Sequence, residues 1–118
     1  MIDLTIAVLH YNQWYLTLPC LESIDRQFDH PQAFYTAEKL VIDNGSTTSS
    51  PTRPSGWEVV RFGDNVGNIG GQNRCFEAAH GKWVLFVAND VRFLPRCLEH
   101  LWDARRVCGI IQPVLMDP

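Results

Sequence analysis

Residues able to do chemistry gather where the apolar runs of this chain stop. Leu40-Val41-Ile42 ends at Asp43-Asn44-Gly45-Ser46, an acid, an amide, a glycine and a hydroxyl in a row, as a buried strand does when its tip holds something polar. Two other runs end in the same way, at His10-Tyr11-Asn12 and at Asn89-Asp90. By residue type, Asp43 accepts hydrogen bonds from a ring N–H or a ribose hydroxyl, Tyr11 stacks on or edges a base, and Asp90 holds a hard divalent cation. That combination suits a nucleoside diphosphate. The stretch Asn65 to Gly71 adds three glycines and two asparagines at the start of a helical pattern.

These groups meet only if the chain carries them to one place. Leu4 to Leu9 is apolar on nearly every residue, the pattern of a parallel strand covered on both faces. Between Trp14 and Phe28, the residues Leu18, Leu21, Ile24 and Phe28 recur at helical spacing, with Pro19 expected near the first turn. Lys39 to Ile42 reads as a second strand, Asn44 to Gly56 as a polar surface loop, and Trp57 to Phe62 as a third strand. The glycines then open a helix that carries Cys75, Phe76, Ala78 and Ala79 and closes at Gly81. Trp83 to Ala88 is a fourth strand, Pro95 to Arg105 a helix with Leu94, Leu98 and Leu101 inward, and Gly109 to Leu115 a fifth short strand.

Alternation of this kind predicts a mostly parallel sheet with helices on both faces, a three-layer α/β/α arrangement. Right-handed crossovers bring every strand-to-helix turn to one edge. If the first and fourth strands are neighbours, the tips after strands one, two and four border a single crevice, where open sheets bind ligands.

Composition narrows the field. With 118 residues, 46% hydrophobic and 19% charged, the chain suits one globular domain. A net charge of −3 with scattered Lys and Arg provides no basic stripe for nucleic acid, so a phosphate must be held locally or through a metal. The apolar stretches Ile6 to Leu9 and Val84 to Ala88 are too short to cross a bilayer, and Asp3 stands where a leader would be basic, so a soluble, cytoplasmic chain is expected. Cys20, Cys75, Cys97 and Cys108 show no CxxC spacing and read as reduced, buried thiols. A zinc site joining them to His10, His30, His80 or His100 lacks a pair at ligand spacing.

Each chemical reading has a structural alternative. Asp43 can simply begin an Asx turn with Asn44-Gly45, and Gly67, Gly70 and Gly71 can serve close packing. Asp90 can cap the helix near Pro95, and Asn89 can bond a ribose or only the backbone of its turn. His10 at a strand tip is open to an acid-base role or to a satisfied, structural one, whereas His80 favours a helix C-terminus. Trp14, Trp57, Trp83 and Trp102 read as core aromatics, with Trp14 nearest the crevice. A dinucleotide-binding Rossmann domain would place its ribose acid near Asp43, but the first turn, His10-Tyr11-Asn12, has no glycine to cradle phosphate. A receiver domain would need acids at the first strand tip, and Asp3 is at the wrong end.

The segments Thr5 to Asn12, Cys20 to Ile24, Val41 to Ser46, Asn65-Val66-Gly67 with Gly70 to Asn73, and Gly81 to Asp90 together resemble the successive landmarks of family 2 inverting glycosyltransferases of the GT-A fold. The rhamnosyltransferase-like branch is the most similar, and the resemblance runs from about Ile2 to Leu115. It implies a GT-A, Rossmann-like domain that binds a nucleoside-diphosphate sugar and passes the sugar to a hydroxyl of a sugar or lipid-linked acceptor, in polysaccharide or glycoconjugate synthesis. It also implies a divalent cofactor, Mg or Mn, and a cytoplasmic or membrane-peripheral site of action. Carried over by position, Asp43 contacts the base, with Tyr11, Asn12 and Asn44 beside its pocket. The stretch Gly67 to Asn73, Gly71 included, shapes the donor site beside ribose and diphosphate, Asp90 is the metal-binding acid, and Asn89 stays open between the ribose and the backbone of its turn.

Where the motif often carries further acids this chain reads Ala88-Asn89-Asp90, leaving Asp90 to hold the metal. The resemblance implies that residues 1–118 form the nucleotide-sugar-binding half, truncated before the acceptor half and its general base, so no catalytic base is assigned. A non-catalytic nucleotide-binding module, or a scaffold that dimerises through an exposed apolar edge, is the alternative.

Overall fold

The structure is a computed structural model that describes residues 1–29, 35–50, 52–107 and 109–113. Four strands, β1 (Leu4–His10), β2 (Ala37–Asp43), β3 (Glu58–Arg61) and β4 (Trp83–Ala88), form one sheet in the order β3-β2-β1-β4. Every pairing is parallel. The helices are α1 (Trp14–Asp25), continued by a 3-10 turn at Arg26–Phe28, α2 (Gly67–Ala78) and α3 (Cys97–Ala104).

β1 is central, so both of its faces are covered. Leu4, Ile6 and Val8 join Trp14, Cys20, Leu21, Ile24 and Leu98 in one core, while Ala7 meets Leu40, Ile42 and Cys75 in a second. α1 and α3 therefore lie on one face and α2 on the other. The chain steps from β1 to β2 in one direction and from β3 back across to β4 in the other, so a common right-handed crossover must put α1 and α2 on opposite faces. Burying each Ile, Leu or Val of these cores is worth roughly 1.5–3 kcal/mol.

Pro19 falls in the second turn of α1 rather than near its first. It removes the bond that would reach the Tyr15 carbonyl, on the side of the helix where Tyr15 is exposed and water can take its place. Among the described residues, no helix joins β2 to β3. That connection is anchored instead by buried Trp57, whose Nε1 donates to Asp25 Oδ1 at 2.9 Å. Lys39 Nζ reaches the same oxygen at 2.8 Å and lies over the rings of Phe28 and Trp57.

Three further expectations change. Leu94 is exposed rather than inward, because the left-handed Arg96 breaks the helical phase and α3 starts only at Cys97. His80 does not sit on a helix end, since the residue that follows α2, Ala79, is extended; its Nδ1 meets Glu38 Oε2 at 2.8 Å instead. Residues 109–113 form no strand, and the rest of the expected fifth strand, like Cys108 and His30, lies outside the described residues. Burial pushes the thiols of Cys20 and Cys75 up to about 11 and about 12, which makes them unreactive. Among the described residues, no helix is long and apolar enough to cross a membrane.

Candidate functional site

Register places the strand tips level. His10 pairs with Asp43 across β1 and β2, and Leu9 pairs with Ala88 across β1 and β4. Because the strand order reverses at β1, the tips of β1 and β4 diverge into different connections and leave a gap between them. That gap is a crevice of about 570 Å³ lined by Leu9, His10, Tyr11, Asn12 and Gln13, by Asn44, by Asn65, Gly67 and Asn68 at the start of α2, and by Phe86, Ala88 and Asn89 from β4. Its floor is apolar and its rim is rich in amides. The first turn of α2 faces it, and free N–H groups of a helix start favour an anion.

Asn12 and Asn44 are structural ties as well as lining. Asn12 is left-handed (φ 58°), a conformation that Asn tolerates better than most residues. Its Oδ1 accepts from the backbone N–H of Thr47 at 2.7 Å and of Thr48 at 3.2 Å, and its own N–H donates to Ser46 Oγ at 2.8 Å. The β1 tip and the β2 tip are thereby fastened together. An Asn12→Gly variant keeps the backbone and loses only these side-chain bonds, so a stability loss of about 1–2 kcal/mol is expected in urea unfolding. Asn12→Ala should lose more, because strain is added. Equal stability of both variants with the parent would show that the tie carries no weight.

Buried Asn44 donates from Nδ2 to Asn65 Oδ1 at 3.1 Å and to the Gly67 carbonyl at 3.2 Å, and its Oδ1 accepts from Arg74 at 2.8 Å. Arg74 continues to the Asp64 carbonyl at 2.6 Å and to Asp64 Oδ1 at 2.8 Å, with its guanidinium 4.2 Å over Phe62. This network docks the start of α2 on the β2 tip. Sequence reasoning included Asn68 in the stretch expected to shape the donor site but did not single out Arg74 or Asn65 as site residues. Asn65, two residues before Gly67 and accepting its N–H at 2.8 Å, carried a turn signal; Arg74 is one cation in a helix and carried none.

Asp43 is buried beneath the turn that follows β2. Oδ1 accepts from the Ser46 N–H at 2.9 Å, and Oδ2 lies 3.4 Å from Nε of the exposed Arg61. Asp43 is not among the residues that line the crevice. Gly71 is buried where a Cβ would stand 2.8 Å from Leu9 Cδ1 and 3.0 Å from Asn44 Nδ2, so it serves the close approach of α2 to the sheet. Asn73 is exposed on α2 and does not line the crevice either. The crevice thus brings together Tyr11, Asn12, Asn44, Gly67 and Asn89 of the residues expected at the site.

Asp90 is exposed in the turn after β4, and it makes no capping bond to α3. Among the described residues, no group of three or more His, Cys, Asp or Glu side chains gathers in a way that could hold a metal alone. None of the residues that line the crevice carries a carboxylate, and Asp90 is not among them; magnesium-like ions in nucleotide sites take many of their ligands from phosphates and waters.

His10 is buried, with its ring centroid 3.8 Å from that of Trp14 and its Nδ1 2.6 Å from Thr17 Oγ1. Burial depresses its pKa, and the nearby Asp43 charge offsets this in part. The imidazole is therefore a neutral hydrogen-bonding group at neutral pH.

The family model described as Glycosyl transferase family 2 matches residues 5–106. No curated protein matches the chain by sequence. Solved structures with the same fold include S. aureus TarS 1-349 in complex with UDP-GlcNAc, with a TM-score of 0.68 and 22% identity over 86% of this chain and 30% of that one. The TarS 1-349 complex with UDP has a TM-score of 0.57 and 24% identity over 75% of this chain and 28% of that one. TarS 1-349 without a named ligand has a TM-score of 0.64 and 22% identity over 86% of this chain and 32% of that one. At this identity the likeness is one of fold, a parallel α/β sheet of the Rossmann-like kind, and the chain spans about a third or less of the length of these structures.

Proposed function

The chain belongs to glycosyl transferase family 2, and we propose that it is the nucleotide-sugar-binding part of an inverting enzyme that moves a sugar from a nucleoside diphosphate to an acceptor hydroxyl in polysaccharide or glycoconjugate synthesis. The observation that carries this reading is the crevice at the point where the strand order reverses, rimmed by amides and by the start of α2. The fold is shared with TarS structures that hold UDP and UDP-GlcNAc, which favours a uridine nucleotide as donor.

In this reading the diphosphate lies against the first turn of α2, where Gly67 lets the backbone come close and the helix dipole opposes its charge. Tyr11, partly exposed at the rim, offers a face or edge to the base. Asp43, buried under the turn, holds it through Ser46 on Oδ1 and faces Arg61 with Oδ2, so it shapes the base side of the crevice from behind the turn. Asp90 would hold a magnesium or manganese ion, whose chemistry is to stabilise the negative charge of the leaving diphosphate. The acceptor oxygen attacks the anomeric carbon in line, on the side opposite the departing phosphate, and this inverts its configuration.

Calorimetric titration with UDP, GDP and dTDP, each with manganese and with chelator, tests the proposal. Saturable, metal-dependent binding of UDP is expected. A folded chain that binds none of the three would overturn it. Ala88 lines the crevice where an acid would strengthen cation binding, and that favours a second reading, a module that binds nucleotide without turnover. Binding of UDP-GlcNAc with neither transfer nor hydrolysis in the complete protein would select it.

A further inference from the structure

One buried hydroxyl of α1 joins two of the segments that line the crevice. Thr17, on α1 and fully buried, has its Oγ1 2.6 Å from His10 Nδ1 at the end of β1 and 3.2 Å from Asn89 Nδ2 in the turn after β4. A hydroxyl has one proton to give and lone pairs to accept with. Here it accepts from the Asn89 amide nitrogen and shares a second, short hydrogen bond with His10 Nδ1, so that the amide is held by a hydroxyl that is itself fixed. His10 Nε2 is buried with no hydrogen-bond partner among the described residues, so Nδ1 is the ring nitrogen through which His10 meets Thr17. An amide that turns its nitrogen toward Thr17 turns its oxygen the other way, and Asn89 lines the crevice.

We propose that Thr17 is a positioning residue of the nucleotide-sugar site: its hydroxyl, set by His10, holds the Asn89 amide so that Oδ1 stands in the crevice as an acceptor for a hydroxyl of the bound nucleotide sugar. The proposal rests on the nucleotide-sugar reading above. Either the ribose or the transferred sugar can supply that hydroxyl, and the two sources separate by experiment. Without the Thr17 hydroxyl the Asn89 amide is free to turn and offer its N–H₂ group, which cannot accept.

The test compares the parent with Thr17→Val, which keeps the shape and removes the hydroxyl, and Thr17→Ser, which keeps the hydroxyl. Thr17→Val is expected to weaken binding by about tenfold, the loss of one well-placed hydrogen bond. Loss for UDP, but little for its 2′,3′-dideoxy analogue, would identify the ribose; loss for UDP-GlcNAc with UDP unchanged would identify the sugar. Thr17→Ser should restore binding. In ¹⁵N spectra of the ligand-free chain, the Asn89 side-chain N–H₂ resonances should shift in Thr17→Val and return toward their parent positions in Thr17→Ser. Asn89 side-chain resonances that stay in place in Thr17→Val, or a Thr17→Val variant that binds both ligands as the parent does, would overturn the role of Thr17 alone. A parent that binds neither ligand overturns the functional reading and the proposal with it.

Discussion

Gly45→Ala is expected to destabilise the chain by about 2–5 kcal/mol, a large share of the roughly 5–15 kcal/mol that holds a domain of this kind together. Gly45 has φ +86°, in the left-handed region, and an added Cβ would stand 2.7 Å from both the Asp64 carbonyl oxygen and the Asn65 nitrogen. Those are backbone atoms and cannot rotate away. The turn after β2 would have to withdraw from the 64–65 segment, and the bond from Asn44 Nδ2 to Asn65 Oδ1 would lengthen with it. Stability and nucleotide binding should therefore fall together. Gly63→Ala is the control, because nothing stands within 4 Å of its added Cβ, and it should stay within about 0.5 kcal/mol of the parent. Urea unfolding of both variants decides the matter. A Gly45→Ala midpoint equal to that of the parent would mean that the two loops are not held in contact.

Asp90→Ala is expected to act in the opposite manner, on binding with no effect on stability. Asp90 is exposed and its carboxylate makes no cap, so unfolding should shift by less than about 0.5 kcal/mol. UDP affinity measured with manganese should drop at least about tenfold, to the level of the parent in chelator, because a cation shared with phosphate loses its protein carboxylate. The reciprocal change, Ala88→Asp, adds a carboxylate to the crevice lining and should raise metal-dependent affinity. If Asp90→Ala retains the full response to manganese, the ion is held elsewhere or only by the nucleotide, and the assignment of Asp90 fails.

Periodicity and turn residues were enough to place β1, α1, β2, β3, α2 and β4 in order, and the apolar character of β1 announced a strand covered on both faces. The neighbouring of β1 and β4 entered the sequence reading only as a condition, and the order β3-β2-β1-β4 is visible only in the structure. Errors arose where one residue altered the phase: Arg96 delays α3, and Leu94 is left in solvent. At the site, the tips themselves were legible because an apolar run that ends in acid and amide residues is a local pattern. Which of those side chains face the crevice was not. Asp43 and Asn44 are neighbours in sequence, yet Asn44 lines it while Asp43 lies under the turn.

What the sequence determined by itself is thus the alternation of elements and the polar ends of three strands, since both depend on spacing within a few residues. Tertiary structure alone decided the ties between segments far apart in the chain: Asn12 to Thr47, Arg74 to Asn44, and Thr17 between His10 and Asn89. Such bonds depend on where packing sets α1 and α2 against the sheet to within a few tenths of an ångström. A hydrogen bond exists only over that narrow range of distance and angle, whereas burial of an apolar stripe tolerates far more. For that reason the elements could be read from residue order, while the partners of each amide and hydroxyl became visible only once the helices were docked.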